Sequence, residues 1–135
     1  MSDSIDPMFP LREYLGFSVE PGEGSAWARL ELAAHHHNPN GVAHGAVPFA
    51  LMDTAMGAAV MSVIDDGQLC ATIEIHTRFH RPVSDGTLTA EATVLTSGRR
   101  VIHLEARTHD SEDRLVASAT GSFAVIDPRP PLAPT

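Results

Sequence analysis

Hydrophobic and polar positions follow two periods along the chain, and each period predicts a different element. Phe17 to Glu20 and Ala26 to Leu32 read as strands, parted by the turn formers Pro21-Gly22-Glu23-Gly24. Met8 to Leu15 predicts a short helical turn ahead of them. His35 to Val42 is polar, with Asn38-Pro39-Asn40-Gly41 at its centre, and predicts a loop. From Gly45 to about Ile64 the chain is apolar on nearly every side, which predicts one long helix buried almost all round. Pro48 fits because it falls in the first turn, where backbone N–H groups have no helical partners. Asp65-Asp66-Gly67 ends the helix.

The period then changes to two. Ala71, Ile73, Ile75, Thr77 and Phe79 alternate with Thr72, Glu74, His76, Arg78 and His80, and Pro82 stops that strand. Leu88, Ala90, Ala92 and Val94 mark the next strand, and Ile102, Leu104 and Ala106 another. Leu115 to Val125 marks the last. Ser84-Asp85-Gly86, Ser97-Gly98-Arg99 and Asp110 to Asp113 join them, and joins this short predict antiparallel neighbours. The fold class is α+β: one long central helix wrapped by a curved antiparallel sheet of five to six strands. Residues 1–7 are expected to be a loose leader, 8–126 a single domain, and 127–135, with four prolines, a flexible tail. One sheet layer leaves part of an all-apolar helix bare, so a partner chain is expected.

Composition narrows the function. A chain of 135 residues builds one core. Its net charge is −8 and its nine basic residues are all Arg, without a basic run, which excludes general nucleic-acid binding. One Cys excludes an internal disulfide and a multi-thiolate metal site. Residues 46–64 approach spanning length, but Pro48, Asp53, Thr54 and Ser62 interrupt them, so no membrane span is expected. The opening residues lack the pattern of a secretory signal, and the expected location is the cytoplasm. His35-His36-His37 suggests no metal site, because consecutive side chains do not readily face one ion; a solvated loop is expected. His76 and His80 fit a polar outer strand face with Glu74 and Arg78. Cys70 fits a small buried hydrophobe better than a nucleophile.

The chemistry concentrates in Asn38-Pro39-Asn40-Gly41-Val42-Ala43-His44-Gly45-Ala46 and in Leu51-Met52-Asp53-Thr54-Ala55-Met56-Gly57. Gly45 stands where loop becomes helix. Its N–H is one of the free donors at the positive helix end, and a residue without a side chain admits a ligand to the backbone. Such a donor suits a carbonyl oxygen that becomes an oxyanion. Asp53 lies mid-helix among apolar residues, where a carboxylate requires hydrogen bonds or a wet cleft. Ala50 and Gly57 share its face and are small. Eight residues separate Gly45 from Asp53, roughly 12 Å along the axis. One carbonyl cannot touch both within a chain. If both act on the same group, the carboxylate must come from a second copy, with the two helices antiparallel about a two-fold axis.

These residues resemble the hotdog-fold acyl-CoA thioesterases of the phenylacetate-pathway type. That family has an Asn, a short gap, His-Gly-Gly at the start of the central helix and an Asp nine residues after the His. Asn38, His44, Gly45 and Asp53 hold those positions, and Ala46 replaces the second Gly. The resemblance runs from about Leu11 to Val125 and includes Phe79-His80-Arg81-Pro82 and Ser97-Gly98-Arg99-Arg100. It implies a hotdog fold and hydrolysis of acyl-CoA without a cofactor or metal. Gly45 N–H would hold the thioester oxygen and Asn38 would position thioester or water. His44 would order the loop or contact the sulfur side. Asp53 of a partner chain would be general base, or nucleophile through an anhydride. Thr72 matches a family Ser or Thr that helps hold the water, and the alternation sets it opposite Ile73 and Ile75. Arg99 and Arg100, with Arg81 behind them, are the candidates for the phosphates of coenzyme A. The implied assembly is a homo-oligomer, at least a dimer, with a dimer of dimers (a homotetramer) as the expected form. A hotdog hydratase or dehydratase would instead carry a His before a Pro-Gly helix start and a later Glu, a pattern absent here. A non-catalytic acyl-CoA binding module would gain nothing from a buried carboxylate. Within the thioesterase reading, an acyl carrier protein is disfavoured by the −8 charge.

Overall fold

The computed structural model describes residues 8–128; the expected leader 1–7 and residues 129–135 of the expected tail lie outside them. The element order is α1 (Pro10–Leu15), β1 (Phe17–Pro21), β2 (Ser25–Glu31), a 3-10 turn (Ala34–His36), α2 (Ala46–Met61), β3 (Leu69–Phe79), β4 (Thr87–Ser97), β5 (Val101–His109) and β6 (Leu115–Ile126). All six strands form one sheet in the order β1-β2-β4-β5-β6-β3, with every neighbouring pair antiparallel. The helix α2 packs against all six. Strands about 4.8 Å apart make a sheet much wider than a helix of about 10 Å, so this sheet reaches α2 from every strand only by curving around it.

The core sits in that concave face. Leu51, Met52, Ala55, Met56, Ala59 and Val60 of α2 are fully buried, against Ala26, Ala28, Ala90, Ala92, Ala106 and Ala117 of the sheet. Alanines on the strands let the helix sit close, and the larger side chains of α2 fill the space. Truncating one of them, as in Leu51→Ala, would cost about 2–5 kcal/mol. The burial of α2 is one-sided. Ala46, Phe49, Ala50, Asp53, Thr54, Gly57, Ala58 and Met61 form a second stripe that is half-buried or exposed. The sequence predicts burial on nearly all sides; the sheet supplies it on one. The helix also stops three residues short of Ile64. Ser62 Oγ donates to the Ala59 carbonyl at 2.7 Å and accepts the Gly24 N–H at 2.8 Å, which ties the helix end to the β1–β2 turn.

Strand β3 departs from its predicted alternation. Thr72 pairs with Phe123 and Glu74 with Ser122, so Ile73 is the extra residue of a bulge. The bulge reverses the phase of the strand. Thr72, opposite buried Phe123, faces the helix, and so does Ile75, opposite Gly121, where an added Cβ would lie 2.8 Å from Met56 Sδ. The predicted placement of Thr72 on the face opposite Ile75 is therefore incorrect. Ile73 is left 55% exposed on the sheet edge.

The His35–His37 segment is also not the solvated loop that its sequence predicts. His36 is buried: its Nδ1 accepts the Ala33 N–H at 2.9 Å and its Nε2 lies 2.8 Å from the Leu15 carbonyl. Those partners require the neutral ring with the proton on Nε2. The ring thereby fastens the loop before α2 to the end of α1. His37 Nε2 reaches the Ser84 carbonyl at 2.7 Å.

The β5–β6 turn depends on one carboxylate. Asp110 is buried; its Oδ1 accepts the N–H groups of Glu112 and Arg114, and its Oδ2 accepts Arg114 Nε at 2.8 Å. The Arg114 backbone hydrogen bond, above all, holds the Asp110 carboxyl below the usual carboxylate range; the Arg114 side chain and the Glu112 N–H add to this against the opposing effect of burial. A carboxyl lowered in the folded state stabilises the fold above its unfolded value of about 4 and loses that contribution as pH falls through its lower folded value. Asp110→Asn is therefore expected to unfold at a lower temperature than the wild type at pH 7. The gap should narrow only below about pH 4. Thermal unfolding followed by circular dichroism from pH 7 to pH 3 checks this; a gap that does not change with pH would contradict it.

Candidate active site

The open stripe of α2 and the loop before it carry the candidate groups, and the fold sorts them into two cavities. The first, of about 800 Å³, contains Asp53, Gly57, Cys70, Thr72 and Phe123 in its lining. Here Thr72 Oγ1 donates to Asp53 Oδ1 at 2.8 Å. The bulge at Ile73 is what turns Thr72 toward the helix and makes that hydrogen bond possible. Asp53 is half-buried, and its Oδ2 accepts no hydrogen bond among the described residues. Cys70 lies beside this pair with its Sγ 3.8 Å from the Gly57 carbonyl oxygen. Burial, and then the Asp53 carboxylate, push the Cys70 thiol above its ordinary value, so it is a poor nucleophile at neutral pH.

The second cavity, of about 410 Å³, contains Asn38, Gly45, Phe79, Arg81 and Pro82 in its lining. Gly45 is the residue before the first turn of α2, and its N–H has no acceptor among the described residues. A Cβ added to Gly45 would lie 3.1 Å from Phe79 Cζ, so the exposed Phe79 ring presses against the helix start and any side chain there would crowd it. Asn38 is held by a tight turn: its N–H donates to the Val42 carbonyl at 2.7 Å, and its Oδ1 accepts the Asn40 N–H at 2.8 Å. That leaves the Nδ2 amide free to donate.

His44 lines neither cavity. Its Nδ1 accepts the Ala46 N–H at 2.9 Å, which satisfies one of the free donors of the first turn, and its own N–H donates to the His36 carbonyl. Arg99 and Arg100 are exposed on the β4–β5 turn and also line neither. The Arg100 carbonyl accepts the Val125 N–H, beside the start of β3, whereas Arg81 follows the end of β3. About ten strand residues, roughly 33 Å, separate the two ends. Arg81 and the Arg99–Arg100 pair cannot hold the same phosphate within one chain. Arg81 goes with the Gly45 cavity, and the pair sits at the sheet end nearer Asp53.

Two lining residues have no motif in the sequence. Phe9, the residue before α1, and Arg12 of α1 close one side of the Asp53 cavity, with the Arg12 guanidinium carbon 5.8 Å from the centre of the Phe9 ring. Among the described residues no helix is long and apolar enough to cross a membrane.

The chain is similar to known proteins in sequence and in fold. The model of the thioesterase superfamily matches residues 40–117, which include Gly45, Asp53 and Thr72. The ComA2 protein of Bacillus subtilis is 33% identical over 124 residues, covering 90% of this chain and 98% of its own. The proofreading thioesterase EntH of Klebsiella pneumoniae is 29% identical over 99 residues, or 73% of this chain and 72% of its own. Thioesterase HI1161 of Haemophilus influenzae superposes with a TM-score of 0.82 at 26% identity, covering 87% of this chain and 82% of that one. The PA5202 protein of Pseudomonas aeruginosa gives 0.81 at 37% identity, over 88% and 95%. The chain belongs to the thioesterase superfamily and is a hotdog-fold thioester hydrolase.

Proposed function

We propose that the protein hydrolyses acyl-CoA thioesters to the free acid and CoA at sites shared between two copies of the chain. The observation that carries this reading is the separation of the two chemical halves. The free Gly45 N–H and the Asn38 amide line one cavity, and the Asp53–Thr72 pair lines another. Each half lacks what the other has: an electrophile needs the donors, and a water molecule needs the base. Both halves lie along the bare stripe of α2, and antiparallel packing of two such stripes would bring Gly45 of one copy to Asp53 of the other. The exposed edge of β3, with Ile73 and Phe79, supports an interface on the same side.

In the assembled site the thioester oxygen accepts from Gly45 N–H at the positive end of α2, where developing negative charge is stabilised. Asn38 Nδ2 donates to the thioester or to the attacking water. Thr72 fixes Asp53 by its hydrogen bond to Oδ1, and the free Oδ2 takes the proton of the water. A C–O bond forms at the carbonyl carbon and the C–S bond breaks. The proton then passes from Asp53 to the departing thiolate, which leaves as CoA. His44 holds the first turn of α2 through Ala46 N–H and so positions Gly45 without touching substrate. Arg99 and Arg100 of the copy that supplies Asp53, with Arg81 of the copy that supplies Gly45 behind them, are the candidates for the phosphates of coenzyme A.

Asp53→Ala should remain folded and lower turnover of an acyl-CoA panel by at least roughly a hundredfold, the size of a lost general base. Thiol release checks it, and unchanged turnover in a folded variant would remove Asp53 from the chemistry. Replacing Arg99 and Arg100 together by Ala should raise KM for acyl-CoA and weaken its salt dependence while kcat changes little, because phosphate contacts hold ground and transition states alike. An unchanged KM would put the coenzyme elsewhere.

A further inference from the structure

The Asp53 cavity has a second charged wall. Apart from Asp53, its lining is dominated by apolar groups, with Phe9, Val19, Pro21, Ala58 and Met61 closing the side away from Thr72. Its one cation is Arg12 of α1. Arg12 is half-buried, its guanidinium packs over the Phe9 ring, and Phe9 in turn meets Phe17 edge-to-face at 5.8 Å. Among the described residues no carboxylate pairs with it. A guanidinium held in place by stacking, with no ion-pair partner among the described residues and on the wall of an apolar cavity, is arranged to receive an anion brought in by a ligand.

The position of Arg12 decides which part of the ligand carries that anion. α1 leads into β1 at one edge of the sheet, and Thr72 lies on β3 at the other. The cavity thus bridges the outer face of α2, with Asp53 on the β3 side and Arg12 on the β1 side. The scissile carbonyl must lie beside Asp53, and the apolar space beyond it suits the acyl group rather than a nucleotide. The cavity of the single chain measures about 800 Å³, and such a group would lie in the part of it that a second copy on the α2 stripe leaves open, on the side of α1 and β1. The Asp53 carboxylate repels a second anion near the carbonyl, so the favourable place for a negative charge is the far end, across a helix width of about 10 Å that a chain of about six to eight carbons spans.

We propose that this cavity takes acyl groups ending in a carboxylate, the monothioesters of dicarboxylic acids, and that Arg12 selects them by pairing with the far carboxylate. The proposal rests on thioester hydrolysis at Asp53 and goes beyond it by naming the acyl class and the residue that reads it.

The test compares chains that differ only in the far group: adipyl-CoA with hexanoyl-CoA, and suberyl-CoA with octanoyl-CoA. These dicarboxylic chains are too long for easy self-cleavage by attack of their own carboxylate. The wild type should give the higher kcat/KM on the carboxylate-ended member of at least one pair. Arg12→Gln should lower the ratio of the two kcat/KM values by roughly ten- to a hundredfold, the effect of a lost charge-assisted hydrogen bond, and Arg12→Lys should restore part of it. A wild type that favours the neutral chains would overturn the proposal whatever the variants do, as would a ratio unchanged in a folded Arg12→Gln. The pantetheine thioesters of the same acids, which lack the nucleotide phosphates, separate two sources of the anion. A loss seen equally on both acyl-CoA members and absent from both pantetheine thioesters would assign Arg12 to the coenzyme and contradict the acyl reading. Hydrolysis of the neutral thioesters without an Arg12-dependent ratio would leave the thioesterase function standing and this inference refuted. No thiol release from any thioester would refute both.

Discussion

A sixteen-residue helix that is apolar nearly all round sits in a sheet able to cover only one side of it. The buried stripe, Leu51-Met52 through Ala59-Val60, holds the domain together by burying large side chains against alanine-lined strands. The other stripe, from Ala46 to Met61, remains open, and it is the stripe that carries Asp53 and the small residues Ala50 and Gly57. Bare apolar surface of this kind needs cover, and a carboxylate within it needs hydrogen bonds. A second copy packed on the open stripe would provide the cover. Thr72 already provides one hydrogen bond. Stability and chemistry thus make demands on the same face, and both follow from the sheet having one layer.

The local elements were legible because their periods are clean. Leu88, Ala90 and Ala92 alternate strictly and are fully buried; Ile102, Leu104 and Ala106 do the same. The loop-to-helix transition at Gly45 was legible from glycine and an interrupted polar run. What was hidden depends on contacts between distant segments. A bulge changes no residue type, so nothing in Ala71 to Phe79 announces that Ile73 drops out of register and swings Thr72 onto the helix. The family resemblance marks Thr72 as a site residue, whereas simple alternation assigns it the face away from Ile75. His36 reads like its neighbours His35 and His37, and only the approach of Leu15 and Ala33 makes it a buried clasp. Arg12 belongs to no motif; it matters because α1 folds back over the Asp53 cavity. The apolar run continues to Ile64, but the helix ends at Met61, where Ser62 Oγ binds a carbonyl of the last turn and the distant Gly24 N–H.

The remaining site residues fall into an order set by distance. Asn38, Gly45 and Arg81 belong together, Asp53 and Thr72 belong together, and the helix holds the groups apart. His44 is occupied at Nδ1 by the first turn of its own helix, which fits the supporting role proposed for it beside Gly45. The Arg99–Arg100 turn lies at the opposite end of the sheet from Arg81. A site confined to one chain would have to span lengths that a thioester group does not have. Two copies related by a two-fold axis, as proposed, would remove the conflict and create two equal sites.

Complementation between two inactive chains tests that claim most directly. Asp53→Ala lacks the proposed base. Gly45→Pro lacks the N–H donor, and Gly45 has φ −56°, close to the angle that proline requires. Its added ring atoms press on Phe79 Cζ, 3.1 Å from a Cβ at this position, so the fold and assembly of the variant are verified first. Co-expressed, the two chains should form hybrids in about half of the dimers. Each hybrid holds one site with an intact Gly45 and an intact Asp53, and one site with both defects. Thiol release from acyl-CoA should then recover to about a quarter of the wild-type rate if the sites act independently. Hybrids shown to form, yet as inactive as either parent, would contradict the shared site and confine the chemistry to a single chain.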